Sequence, residues 1–157
     1  TICSTVMAIK NNISWQDIDK LTKTLVRKIG KTKYDSILGI TRGGLIPAVK
    51  ISHALNIPLQ PVNYQTRDFG AMGYESMGIN LMNEMLNDPP KKYLAIDDIN
   101  DSGLTINELS TEFANWNLNV EWAVLHDNKP SEARVTYFAK KIDKSKDPAW
   151  IVYPCEK

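Results

Sequence analysis

The sequence predicts an α/β fold with a mostly parallel central sheet flanked by helices, and three observations carry that expectation. Short apolar runs of strand length alternate with longer stretches of helical spacing, the pattern of strands joined through helical crossovers. Two of those runs end in polar turns rich in glycine or aspartate, and the carboxyl ends of parallel strands are where such sheets bind ligands. At 157 residues and 43% hydrophobic content, the chain can bury one core and is short for two ordinary domains. A single domain over residues 1–157 is expected.

The elements follow in order. Ser14-Trp15-Gln16-Asp17 has the form of a capping box with Asp in place of the usual Glu or Gln. Trp15, Ile18, Leu21, Leu25 and Ile29 then recur at helical spacing, so an amphipathic helix runs to Gly30. Ser36 to Ile40 reads as a strand that breaks at Thr41-Arg42-Gly43-Gly44, and Leu45 to Leu55 as a helix with Pro47 in its first turn. Leu59 to Asn63 is a second strand. From Tyr64 to about Gly78 there are three glycines and no clean period, which reads as a long loop of the kind that often serves as a lid. Asn80 to Leu86 is a short helix, stopped at Asp88-Pro89-Pro90. Lys92 to Ile96 is a strand, Asp97 to Gly103 a loop and Leu104 to Trp116 a helix. Val120 to Leu125, Arg134 to Phe138 and Trp150 to Tyr153 complete the strands.

Charge and cysteine content exclude several classes. With 19 basic and 18 acidic residues, no global field favours nucleic acid or an anionic membrane, so neither is expected as a partner. Cys3 and Cys155 form no CxxC pair, which argues against zinc and for a reducing, cytoplasmic setting. The opening Thr1 to Ile9 lacks a preceding basic segment and is far short of the roughly 20 apolar residues that span a bilayer, so neither signal peptide nor anchor is expected.

The chemistry concentrates in Tyr93-Leu94-Ala95-Ile96-Asp97-Asp98-Ile99-Asn100-Asp101-Ser102-Gly103-Leu104-Thr105. An apolar strand runs into three acidic residues, then into small hydroxyl and glycine residues that open a helix. A helix N-terminus offers unpaired N–H groups to a phosphate, Gly103 permits close approach of the backbone, and Ser102 and Thr105 add hydroxyl donors. Asp97 and Asp98 supply acceptors for two adjacent sugar hydroxyls, or ligands for hydrated magnesium. An isolated Asp-Asp pair is more often a helix cap or a lysine partner. The strand before it and the Ser-Gly-x-Thr after it favour a ligand with a phosphate beside a cis-diol, a ribose 5-phosphate.

This segment resembles the signature of type I phosphoribosyltransferases, which bind phosphoribosyl pyrophosphate (PRPP): an apolar strand, two acidic residues, an apolar residue, two variable positions, then Thr or Ser followed by Gly. Ser102 stands where Thr is commoner. Ile37 to Pro47, with Thr41-Arg42-Gly43-Gly44 at its centre, is similar to the strand and pyrophosphate loop of bacterial and archaeal xanthine-guanine and hypoxanthine members. Its two glycines expose N–H groups to an anion and Arg42 adds a charged donor. It is not a Walker A loop, because no Gly-Lys-Ser/Thr follows.

The resemblance implies the type I fold with a flexible lid loop and a small C-terminal hood. It implies Mg2+ as cofactor, PRPP and a purine base as substrates, and a dimer or tetramer. By position, Lys129 resembles the lysine that donates to purine O6, and Trp150 the residue that stacks on the base, with main-chain groups beside it at Ile151 reading the base edge. Asp101 matches the loop aspartate near purine N7 and would move a proton there. Arg42 with Gly43 and Gly44 would stabilise departing pyrophosphate, while Ser102, Gly103, Leu104 and Thr105 would hold the 5-phosphate. Arg67 is a candidate from the lid. A surface lysine and a core tryptophan are the plainer readings of Lys129 and Trp150, and a solvated arginine that of Arg67. His53 reads as helix surface, and His126 as near the site without a role. A PRPP-binding regulator, or a transferase for adenine, orotate or uracil, are the alternatives; an ammonium at Lys129 suits a carbonyl better than an amino group.

Overall fold

The computed structural model describes residues 9–64 and 91–156. Among these, β1 (Lys10–Asn12) leads into α1 (Trp15–Ile29), β2 (Ser36–Ile40), α2 (Leu45–Leu55) and β3 (Leu59–Val62). After the interval come β4 (Lys92–Asn100), α3 (Leu104–Asn115), β5 (Asn119–Asn128), β6 (Tyr137–Ile142), β7 (Trp150–Val152) and a 3-10 turn at Pro154–Glu156. Five strands form a sheet in the order β3-β2-β4-β5-β6, and every pairing in it is parallel. No helix among the described residues is long and apolar enough to cross a membrane.

Alternation along the strands divides the core into two layers. Ile37, Leu94, Ile96, Ala123 and Leu125 meet Ile18, Leu25 and Ile29 of α1 and Ala48 and Ile51 of α2. Residues of the other parity, Leu38, Ile40, Tyr93, Ala95, Trp122 and Val124, meet Ile106, Leu109 and Phe113 of α3. Both faces of the sheet are covered, as an all-parallel sheet requires. The capping box at Ser14 is complete, with Asp17 N–H donating to Ser14 Oγ at 3.0 Å and Ser14 N–H to Asp17 Oδ2 at 2.9 Å.

Four differences from the sequence expectation bear on the site. β4 does not stop at Ile96 but carries Asp97 and Asp98 within it and ends at Asn100, because β5 continues alongside to pair Asn100 with Asp127. β5 accordingly extends past Leu125 to Asn128. β6 lies three residues later than Arg134 to Phe138, with Lys140 and Lys141 in its exposed half, charges that suit an edge strand. Lys10–Asn12 forms a strand that sequence periodicity could not reveal: all three residues are polar and exposed, and they pair in parallel with β7, Lys10 opposite Trp150. The C-terminal hood is therefore a separate two-stranded sheet built from both ends of the described chain. Most of the expected lid and the expected Asn80 to Leu86 helix lie outside the described residues, as do Arg67 and Cys3; Cys155 is a free thiol.

Asn100 closes the end of β4. Its Nδ2 donates to Asp127 Oδ1 at 2.8 Å and to the Ala133 carbonyl at 3.0 Å, and its Oδ1 accepts from Ser131 Oγ at 2.6 Å, all in a side chain 1% exposed. Asn100→Ala leaves these buried partners unmatched and should lower the unfolding free energy in urea by about 2 kcal/mol.

Candidate active site

The site forms where the sheet changes direction. From β2 the chain crosses to β3 on one side and later to β4 on the other, the switch point at which open parallel sheets bind ligands. β2 and β4 pair only as far as Gly39 and Ile96. Beyond that rung β2 peels away at Thr41 while β4 runs on, and the gap opens into a cavity of about 720 Å³. Thr41, Arg42 and Gly43 line one wall, Asp97 through Thr105 another, and Trp150, Ile151 and Tyr153 close it from the hood side. The peptide between Thr41 and Arg42 is cis.

Asp97, buried, and Asp98, half-buried, lie side by side at the root of this cavity. Asp97 Oδ1 accepts the Asp98 N–H at 2.8 Å and Asp98 Oδ1 the Ile99 N–H at 2.7 Å, so each carboxylate folds back on the next peptide. Burial holds the Asp97 carboxyl well above the usual carboxylate range, and the neighbouring Asp98 charge pushes it the same way. Asp98 is also raised, again chiefly by burial. No lysine or arginine pairs with either among the described residues. The charged form of the pair is disfavoured among the described residues and would be favoured by a ligand that supplies donors or a cation.

A hard divalent cation fits this donor set in one particular way. Both donors are carboxylate oxygens, and no group of three or more His, Cys, Asp or Glu residues among those described could cage a metal. Two carboxylates without a cage suit magnesium, which keeps waters and takes its remaining ligands from substrate phosphates.

Two helices begin at the cavity with glycine N-caps, the Leu104 N–H donating to Ser102 Oγ at 3.3 Å and the Leu45 N–H to the Arg42 carbonyl at 3.2 Å. α2 has Gly44 at its N-cap and α3 has Gly103, and neither glycine supplies a side-chain cap. The contrast with the capping box of α1, remote from the site, is physical: a side chain at either position would occupy the N–H groups that an anion needs. Packing enforces the glycines independently. A Cβ on Gly43 would lie 2.0 Å from Asp98 Oδ2, and one on Gly44 2.5 Å from the Ile96 carbonyl and 2.6 Å from that of Ile40. Gly44 is therefore a packing residue behind the wall, and Gly43 is the one that lines the cavity. Gly103 has φ of 93°, and a Cβ there would meet Ala133 N at 2.5 Å. Its first requirement comes from the 131–133 segment rather than from a ligand.

On the hood side, Trp150 is 39% exposed with its ring on the cavity, and Ile151 behind it is buried. Asp101 is held on both oxygens: Oδ2 takes Lys144 Nζ at 2.8 Å, and Oδ1 takes Asn128 Nδ2 at 3.2 Å. Lys144 Nζ also lies 5.3 Å from the centre of the Trp150 ring. Lys129 is exposed at the far end of β5 and is not part of the cavity wall. Lys144, not among the candidates of the sequence analysis, is the ammonium that the fold brings to the cavity wall.

His126 has a structural partner that sequence reading missed. It is 2% exposed, and its Nδ1 lies 2.7 Å from Tyr153 Oη, which donates to the Asp98 carbonyl at 3.2 Å. The two contacts link the imidazole, the phenol and the Asp98 carbonyl in one chain. Burial pushes His126 down to about 4, so the ring is neutral at physiological pH. Through this chain the residue after β7 is fastened to the backbone of the acidic pair.

A phosphoribosyl transferase domain pattern matches residues 6–156. The chain belongs to the phosphoribosyl transferase family. A xanthine-guanine phosphoribosyltransferase of Chromohalobacter salexigens is 30% identical over 97 residues, 59% of this chain and 55% of that protein. The chain thus spans about half the length of the curated relative it matches. A purine phosphoribosyltransferase from Pyrococcus horikoshii Ot3 superposes with a TM-score of 0.76 at 26% identity, over 94% of this chain and 95% of that one. A hypothetical protein from Neisseria gonorrhoeae with bound ppGpp gives a TM-score of 0.74 at 25% identity, over 96% and 91%.

In this phosphoribosyl transferase the burial of Asp97 has a measurable sign. The native state keeps the Asp97 proton at pH values where the unfolded chain, titrating near 3.8, has lost it, so stability falls as pH rises from 3.8 through the raised value. Asp97→Asn removes that ionisation. Thermal melts should place the variant above the parent at a pH of about 7.5, with the gap closing as the pH falls below the ordinary carboxylate range. A variant that melts lower at the neutral end would mean that the protein already compensates the charge.

Proposed function

We propose that the protein transfers ribose 5-phosphate from PRPP to a 6-oxopurine, guanine, xanthine or hypoxanthine, with release of pyrophosphate. The observation that carries this reading is the acidic pair set between two helix starts with glycine N-caps at the sheet's switch point. Phosphates at both ends of a ribose, with two hydroxyls between them, match that arrangement of donors and acceptors. The names of the relatives support the purine half: two are purine-type phosphoribosyltransferases and a third structure holds ppGpp, a guanine nucleotide.

The roles follow from placement. Asp97 and Asp98 accept from the ribose hydroxyls or hold magnesium directly or through water; the metal, when bound with PRPP, neutralises charge on the pyrophosphate. Ser102, Gly103, Leu104 and Thr105 receive the 5-phosphate at the start of α3. Thr41, Arg42 and Gly43 receive the pyrophosphate, with Gly44 setting the approach of the loop to β4. The base stacks on Trp150 beside the main chain of Ile151, its N7 towards Asp101, and attacks C1 of the ribose as pyrophosphate departs. Lys129 is the O6 donor by the resemblance alone, since it does not line the cavity, whereas Lys144, paired to Asp101, does. The contribution of the protein is alignment and stabilisation of developing charge.

Incubation with PRPP, magnesium and a panel of bases tests this directly. Pyrophosphate release is expected with guanine, xanthine or hypoxanthine and not with adenine, orotate or uracil; turnover confined to the latter group would overturn the purine assignment. Within the active enzyme, Asp101→Asn should leave PRPP affinity nearly unchanged and cut turnover by about 10²-fold, the scale of general acid-base assistance. An unchanged steady-state rate would remove Asp101 from the chemistry.

A further inference from the structure

Three neighbouring strands of the sheet, β4, β5 and β6, are tied together at the ends that face the site. Asn128, the last residue of β5, is 6% exposed and is not part of the cavity wall. Its Nδ2 donates to the Asp101 carbonyl at 3.1 Å and to Asp101 Oδ1 at 3.2 Å, just past the end of β4. Its Oδ1 accepts the Lys144 N–H at 3.0 Å, just past the end of β6. Lys144 Nζ closes the ring on Asp101 Oδ2 at 2.8 Å. One buried amide therefore fixes the main chain of both partners of an ion pair that lines the cavity.

The chemistry of the position calls for an amide. Two oxygens of Asp101 need donors and the Lys144 N–H needs an acceptor, and asparagine carries both kinds of group on one short side chain. Turned over, the amide would set its oxygen against the Asp101 oxygens and its nitrogen against the Lys144 N–H, so its surroundings fix its orientation. The adjacent carboxylate, on the other face of β5, does not compete for these partners. Asp127 Oδ1 is taken by Asn100 Nδ2 at 2.8 Å, and Oδ2 by Lys141 Nζ at 2.6 Å. Asp101 itself keeps room to accept more. A carboxylate offers about four lone pairs, and Asn128 and Lys144 use one on each oxygen. With its side chain 38% exposed, it can still meet a ligand in the cavity.

We propose that Asn128 is a positioning residue for the transferase reaction: it touches no substrate, and it acts by holding the Asp101 carboxylate, with the Lys144 ammonium paired to it, at the cavity wall. The inference rests on the role proposed above for Asp101. Its own ground is the bracket that Asn128 makes between two segments that line the site.

A double-mutant cycle on the full chain tests it. With PRPP, magnesium and a base that the parent turns over, Asn128→Ala should lower kcat about tenfold, the scale of one hydrogen bond to a charged group. Calorimetry with magnesium-PRPP should give the variant the parent's affinity. In the Asp101→Asn background the same change should make no further difference, because Asn128 acts through the group already removed. Asn128→Asp keeps the volume and the acceptor for Lys144 but offers Asp101 no donor, so it should lose turnover at least as severely; it also carries the cycle if the alanine variant does not fold. An undiminished kcat in either variant, weakened PRPP binding, or the same loss repeated in the Asp101→Asn background would leave Asn128 a fold residue only, and each overturns the inference. An Asp101→Asn variant as fast as the parent takes away the group that Asn128 is said to position and overturns it too. A parent that turns over no base defeats the transferase reading and the inference together, whereas an active parent with a failed cycle defeats the inference alone.

Discussion

Asp97 and Asp98 are placed where ionising both is costly and where no cation of the described protein relieves them. They end the apolar run of the central strand, with β5 continuing along one side and β2 gone from the other. That one-sided exposure organises the rest. The glycine at position 43 exists because the Asp98 carboxylate fills the space of its Cβ, and Gly44 because the loop must pass against the β4 backbone. The cavity is the volume left when β2 turns away from a strand that continues.

Around this pair the fold treats its helix termini in two ways. α1 lies away from the cavity and begins with reciprocal capping by Ser14 and Asp17. α2 and α3 begin at the cavity with glycine and no side-chain cap. Capping stabilises a terminus by satisfying its N–H groups, and the glycine N-caps of the two site helices supply no such side-chain bond. The hood is tied to this machinery by the His126–Tyr153–Asp98 chain, which joins the strand carrying Trp150 to the acidic pair through two hydrogen bonds. Displacement of the hood would therefore be felt at Asp98 as well as at Trp150.

Much of this was legible in the sequence where local chemistry is strong. The limits of β2 and α2 and the start of α3 follow from apolar periodicity broken by glycine, and the two polar turns that come to line one cavity follow from residue types at fixed spacing. The reading failed where polar residues occupy regular structure. Asp97, Asp98 and Asn100 looked like a loop, because nothing local reveals that β5 accompanies β4 that far. Lys10–Asn12 gave no strand signal, since its pairing with β7 joins residues 140 positions apart in the chain. Lys144 and Asn128 were invisible for the same reason: a lysine among lysines and an asparagine at the end of a strand acquire meaning only from what the fold places against them.

The central claim is that the acidic pair, whose ionisation is disfavoured by burial, is completed by the ribose and metal of PRPP. Calorimetric titration of magnesium-PRPP into the parent and into the Asp97→Asn, Asp98→Asn double variant tests it most directly. The parent should bind at one site per chain, and the double variant, still melting cooperatively, should bind at least about tenfold more weakly, since charge-assisted acceptors are lost while the fold is retained. Equal affinity in the two proteins, or no binding by the parent, would contradict it.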